Sequence, residues 1–171
     1  AQKIVVASDL SLAANGLYFT DPFGASGPMP PKAGTETTYA VALTITNTTN
    51  KITGGKVTAT LPPYTRLVGN HYLPASEKVT FNGTTGLFTW DVGDILPGAG
   101  LGSTTPRQVV IELGFTPSTS QIDTEPKLLQ AIKLTGTDDS TGKPVEKTAS
   151  DVTTNIIGDP GFSSINAKVI K

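Results

Sequence analysis

Tyr39-Ala-Val-Ala-Leu-Thr-Ile-Thr46 alternates strictly: Tyr39, Val41, Leu43 and Ile45 point one way, and Ala40, Ala42, Thr44 and Thr46 the other. Period two marks a half-buried strand, because successive side chains leave a pleated backbone on opposite faces. Phe88-Thr-Trp-Asp-Val92 repeats the alternation and runs into Gly93-Asp-Ile-Leu-Pro-Gly-Ala-Gly100, a turn-rich stretch that lets the next strand change sheets. Trp90 shares a face with Phe88 and Val92, so it is expected between two sheets rather than on a binding surface.

The same pattern recurs outward from these runs. Val57, Ala59 and Leu61 face inward from residues 56–61, and Pro62-Pro63 stops that strand because neither proline can donate to a ladder. Residues 47–55 between the first two strands are polar and end in glycine, as a connection should. Val79 and Phe81 alternate into Asn82-Gly-Thr-Thr-Gly86, and the Phe88 strand returns, which makes a hairpin with Asn-Gly tolerating positive φ at its tip. Val109, Ile111, Leu113 and Phe115 form another one-faced strand, with Glu112 toward solvent. Ile132 and Leu134 lead into the tight turn Asp138-Asp-Ser-Thr-Gly142, and Val145 starts the return. Residues 125–133, with Pro126 at a first-turn position, are the one helix-like stretch; they are read as strand because Ile132 and Leu134 already belong to one.

Strands at this spacing with no helical partner predict an all-β, immunoglobulin-like two-sheet β-sandwich. Residues 35–160 form its expected core. Residues 1–34 are read as an N-terminal strand plus a connector, since 22–34 hold four prolines and three glycines. Residues 161–171 are read as a C-terminal strand extension, with Ile165 and Val169 on one face.

Composition narrows the function. A chain of 171 residues, 37% hydrophobic, suits one core. Thirteen basic against fourteen acidic residues leave a net charge of -1, which provides no field for a polyanion, so nucleic acid is not an expected partner. Cysteine is absent, which removes disulfides, thiolate metal sites and a cysteine nucleophile. The aliphatic run Ile4-Val-Val-Ala7 is far shorter than the roughly 20 residues of a membrane span.

The ordered series Gly27-Pro-Met-Pro-Pro-Lys-Ala-Gly-Thr-Glu-Thr-Thr-Tyr39, Ile45-Thr-Asn-Thr-Thr-Asn50, Ala59-Thr-Leu-Pro-Pro-Tyr64, Phe88-Thr-Trp-Asp-Val-Gly-Asp-Ile95, Phe115-Thr-Pro-Ser118 and Leu134-Thr-Gly-Thr-Asp138 through Thr141-Gly142 resembles the Ig-like repeat-type domain of prokaryotic cell-surface proteins. Large surface proteins of ultrasmall candidate-phylum bacteria look most similar. The likeness covers residues 27–160 and rests on the pieces occurring in order, not on any one of them. It implies an extracellular or cell-surface stalk, coat or adhesin module, and it supplies no catalytic residues. The chain departs from the pattern in carrying a single copy.

Few residues suit chemistry. His71 is the only histidine; no Gly-x-Ser-x-Gly elbow accompanies it, and it is expected in a loop. One histidine without cysteine also falls short of a zinc site. No cofactor is expected. Calcium is the metal whose oxygen ligands the chain does hold, at Asp138-Asp139-Ser140 or at Asp91 with Asp94, although turn chemistry accounts for the first group. Asn47-Thr-Thr49 and Asn82-Gly-Thr84 fit the glycosylation acceptor pattern in expected loops. A lysine–asparagine crosslink would need a buried lysine; Lys3, Lys56 and Lys168 lie in or beside expected strands, where lysines face solvent or guard edges.

The chain is therefore expected to be a non-enzymatic structural module of a stalk, coat or filament, with itself or neighbouring surface modules as partner. Assembly would use strand exchange through residues 3–12 or 163–171. The alternative is an adhesin recognising glycan or protein through loops 62–76 and 94–107 at a sandwich end, with Tyr64, His71 and Tyr72 as candidate loop-binding residues.

Overall fold

The computed structural model describes residues 4–171. Its strands are β1 (Leu10–Leu17), β2 (Thr37–Asn47), β3 (Ile52–Thr60), β4 (Thr65–Leu73), β5 (Lys78–Asn82), β6 (Leu87–Ile95), β7 (Arg107–Phe115), β8 (Lys127–Asp138), β9 (Pro144–Ala149) and β10 (Val152–Thr153). They form two antiparallel sheets, one ordered β1-β2-β7-β4 and the other β10-β8-β3-β6-β5 with β9 also on β8. The all-β sandwich expected from the alternation is what the chain adopts.

The inward rows are those read from the sequence. Tyr39, Val41, Leu43 and Ile45 meet Leu113, Ile111 and Val109 across β2 and β7, while Val57 and Ala59 sit opposite Trp90 and Phe88 across β3 and β6. All these side chains are buried, and Trp90, Tyr39, Phe88 and Phe115 are the largest of them. Burying each aliphatic or aromatic side chain contributes about 1.5–3 kcal/mol, so this double row is the main source of stability. Residues 125–133 contribute β8, as read.

Several features differ from expectation. Residues 10–17 are not an extension: β1 pairs with β2 from Leu10↔Asn47 to Leu17↔Ala40 and forms an edge of the smaller sheet, so the sandwich begins at Leu10. Of the expected exchange strand 3–12, Lys3 lies outside the described residues. Residues 163–171 form no paired strand; they hold a short 3₁₀ turn and two isolated parallel bridges, Lys32↔Ile170 and Ile122↔Val169. β3 starts earlier than expected because a bulge at Gly54, whose φ is 61°, carries the polar stretch back into register. At Gly55 a Cβ would lie 2.8 Å from the Gly93 carbonyl oxygen, so the two strands close only over glycine.

The two hairpin turns, β5–β6 and β8–β9, share one construction. In Asn82-Gly-Thr-Thr-Gly86 the Asn82 Oδ1 accepts from the amides of Thr84 and Thr85, and the Gly86 amide donates to the Asn82 carbonyl at 2.8 Å. In Asp138-Asp-Ser-Thr-Gly142 the Asp138 Oδ1 accepts from Ser140 and Thr141, and the Gly142 amide donates to the Asp138 carbonyl at 2.8 Å. Positive φ falls on the closing glycines, 73° at Gly86 and 68° at Gly142, and not on the Asn-Gly pair expected to need it. Asn82 works as a side-chain cap for the bend.

Candidate functional site

The three candidate binding residues do not converge. Residues 65–73, expected to lie within a loop, form the edge strand β4 against β7. Tyr64 precedes β4 and packs edge-on against Phe115 at 5.7 Å between ring centroids. Tyr72 lies opposite Ile111 and packs on the core, so both tyrosines are half-buried rim residues. The register of β4 slips between Leu67 and Tyr72, and Gly69 in that bulge has φ 54°. His71 comes from this bulge rather than from a loop, and it reaches the outer face of the sheet, where its Nδ1 lies 2.6 Å from Glu112 Oε2.

Glu112, expected toward solvent, is 6% exposed. The connector after β1 is laid over this part of the sheet: Phe23 stacks on the His71 ring with an interplanar angle of 17°. Burial pushes the Asp21 carboxyl above its usual range; the Phe23 amide opposes the shift, and the nearby Glu112 and Asp159 charges add to it. A histidine held by a carboxylate resembles half of a nucleophile-activating set, but what faces this pair is the Phe23 ring and another carboxylate. Its evident role is to fasten the connector.

The loops expected to cluster at one sandwich end do so only in part: the 74–77 turn meets the 94–107 stretch through the Glu77–Arg107 pair, while residues 62–64 lie at the other end. Residues 62–64 lie beside Thr65 and Phe115, which pair at the Thr37 end of β2; residues 96–106 pack at the Asn47 end through Gly98 N to Thr48 O (2.7 Å) and Asn47 N to Ala99 O (2.9 Å). Between β3 and β7 the chain must run up one sheet, across and back, which separates them.

Two buried carboxylates clip the ends of β1. At its start, Asp138 Oδ2 accepts from the Ser8 amide at 3.1 Å and from Asn50 Nδ2 at 2.9 Å. The Asn50 amide, opposed by burial and helped by the Ser8, Thr141 and Ser140 amides, holds the Asp138 carboxyl down to about 2. At the other end of β1, Asp159 Oδ2 accepts from the amides of Tyr18 and Phe19, both at 2.7 Å, and its Oδ1 accepts from Thr20. At the Thr37 end, Ile170 N donates to Pro31 O, Ala33 N to Ile170 O and Asp123 N to Val169 O, while Val169 and Ala167 are fully buried. The chain thus enters the fold at the Asn47 end and leaves at the Thr37 end, anchored at both.

Trp90 carries a polar network that the sequence pattern did not show. Its Nε1 donates to Glu77 Oε2 at 2.8 Å, and Glu77 is paired with Arg107, whose Nη2 also donates to Val92 O at 2.8 Å. Arg107 lies over the indole, 6.0 Å from its centroid. The network ties the β5–β6 edge to the first residue of β7 in the opposite sheet.

The remaining candidates fall into structural places. Asp138 has both oxygens taken by N–H donors, and Asp94 pairs with Lys51 at 2.8 Å. Among the described residues no group of three or more His, Asp or Glu is placed to hold a metal. Asn47, expected in a loop as a glycan acceptor, is buried at the end of β2, where its Nδ2 donates to the carbonyls of Asn50, Leu96 and Ile95. Asn82 is exposed at its hairpin, and Lys56 and Lys168 are exposed. No described helix is long and apolar enough to cross a membrane.

No family model matches the chain, and no curated protein does. Among solved structures it is similar to BcpA, the major pilin subunit of Bacillus cereus, at a TM-score of 0.47 and 13% identity over 86% of this chain and 39% of that one. The D312A form of BcpA overlays with the same TM-score and identity over 40% of its chain. An inactive D437A mutant of a GH20 exo-β-N-acetylglucosaminidase from Vibrio harveyi overlays at 0.42 and 5% identity, covering 82% of this chain and 18% of the enzyme. The chain spans about two fifths of the pilin's length.

Proposed function

We propose that this protein is a non-enzymatic, extracellular load-bearing spacer, a module of a surface stalk or filament. One observation carries this: residue 8 is tied down at the Asn47 end of the sandwich and residues 167–170 at the Thr37 end, so tension applied through the two ends crosses the whole fold. β1 runs from the first end toward the second, antiparallel to β2 over eight paired residues. A pull on its N-terminal side loads those rungs together in shear instead of peeling them one at a time.

The absence of convergence among the candidate binding residues His71, Tyr64 and Tyr72 supports a structural role over the adhesin alternative. The adhesin alternative keeps one observation, a shallow cavity of about 320 Å³ at the Thr37 end lined by Glu36, Pro63, Tyr64 and Arg66. Strand exchange through β1 or residues 163–171 would first have to break the clips that hold them, so assembly in this account uses the segment ahead of Ser8.

The spacer reading predicts the shape of a fused tandem. Two copies joined end to end should lengthen in small-angle scattering by at least the roughly 35 Å that an eleven-residue strand spans. A pair folded back side by side, with little added length, contradicts a spacer.

A further inference from the structure

Resting on that spacer reading, we propose that residues 4–7 of one copy add as a strand to the free edge of β5 in a second copy, joining modules head to tail. The donor is visible in its own chain. Ile4, Val5 and Val6 are 85%, 44% and 62% exposed, they precede β1, and they are β-branched residues suited to an extended ladder. Ser8 is fixed by Asp138 and the Val6 carbonyl accepts from Asn50 Nδ2 at 2.6 Å, so the segment leaves an anchored point at the Asn47 end, with the backbone groups of Val5 and Ala7 on its other edge left to pair with a partner strand.

The acceptor follows from comparing the sheet edges. β1 packs against β9 and β10 of the opposite sheet, which covers that side. β4 is interrupted by its bulge at Gly69, and β9 begins at a proline and exposes Glu146 and Lys147, devices that blunt an edge. β5 has the fewest of these: it pairs with β6 from Lys78↔Asp91 to Asn82↔Leu87 without a slip, and its one charged residue, Lys78, sits at its first position, which leaves 79–82 uncharged. Its Val79 and Phe81 pack only partly against the core.

Beside Phe81, between the β5 hairpin and the start of β4, lies a cavity of about 240 Å³ lined by Leu61, Pro62 and Pro63. A strand added along β5 would place an aliphatic side chain over that gap, extending the rows Trp90–Val79 and Phe88–Phe81 by one position. Four extended residues span roughly 13 Å against about 17 Å for β5, so the segment fits within the edge. β5 lies toward the Thr37 end, whereas the donor leaves from the Asn47 end. Donor and acceptor are thus different surfaces, and copies joined in line through them make a heterologous head-to-tail contact, the geometry of a filament.

The cysteine-free chain permits a direct test. Full-length V5C is mixed with full-length T80C, on the β5 edge, or with T148C, on the β9 edge, under mild thiol exchange, and the mixed disulfides are quantified by mass spectrometry. The expected result is V5C–T80C over V5C–T148C on the order of tenfold, a one-decade preference in association, with Ile4→Asp, on the face that meets Val79 and Phe81 when Val5 lies opposite Thr80, abolishing concentration-dependent sedimentation in the cysteine-free chain while leaving the melting transition in place. Equal coupling to both edges, exclusive V5C–V5C pairing, or unchanged association of Ile4→Asp would each overturn the proposal. A tandem fusion that still scatters as a rod would then show that the spacer reading survives without it.

Discussion

At the residue scale, Glu77 is the least replaceable polar side chain. It is buried, it accepts from Trp90, and its charge is balanced by Arg107 alone among the described residues. Glu77→Ala should cost about 3 kcal/mol in urea unfolding, Arg107→Ala a similar amount, and the double variant clearly less than the sum, because each single change strands the other charge. Strict additivity would mean that the network does not couple. The closing glycines of the two hairpins give a second comparison. A Cβ at Gly86 would lie 2.6 Å from the Leu61 carbonyl oxygen, whereas at Gly142 nothing lies within 4 Å. Gly142→Ala should cost about 1–2 kcal/mol for its left-handed backbone alone, and Gly86→Ala measurably more in the same melts; equal costs would contradict the packing at Leu61. Trp90's place was legible from alternation. Glu77 was not, because its partners are contributed by β6 and by the start of β7, and no local pattern encodes a contact between strands of different sheets. Asn47 misled for a related reason: its acceptor motif is real, yet its amide is consumed by carbonyls of a loop nearly fifty residues away.

At the element scale, β1 shows what periodicity reads and what it leaves out. Leu10 and Leu12 alternate inward as a strand should, but membership in the sheet depends on two aspartates from the far half of the chain. Asp138 makes this dependence visible in pH. Its carboxyl is held down to about 2 in the fold from an ordinary 3.8, so the stabilisation is complete above about pH 4 and is lost as pH falls toward 2. Denaturant melts between pH 2 and 6 should show stability falling steeply below pH 4 in the native chain and less steeply in Asp138→Asn, which is also less stable at pH 6. The same acid slope in both would remove Asp138 as the source. β4 escaped detection because the bulge at residues 68–71 breaks the alternation between Leu67 and Tyr72, leaving a strand that reads as a polar loop. That one irregularity moved His71 from an expected loop to the outer face, where it meets Glu112.

At the scale of the whole molecule, fold class was readable from period-two runs because each strand buries one face against the other sheet. The routing of the ends was not, since it is set by pairings such as Leu10↔Asn47 and Lys32↔Ile170 between distant segments. That routing gives the protein its proposed work: the buried double row resists deformation, the carboxylate clips hold β1 in place, and the two anchored ends lie at opposite poles. The most direct measurement is single-molecule pulling in two directions, once through residues 4 and 171 and once through residue 4 and a cysteine placed at residue 49, both at the Asn47 end. Forced unfolding reports the barrier met along the pulled direction. End-to-end pulling, which shears β1 along β2, should require several-fold higher force than the second geometry, which peels β1 away from its Leu10 end. Equal forces in both directions, or a lower force end to end, would contradict a fold built to carry load.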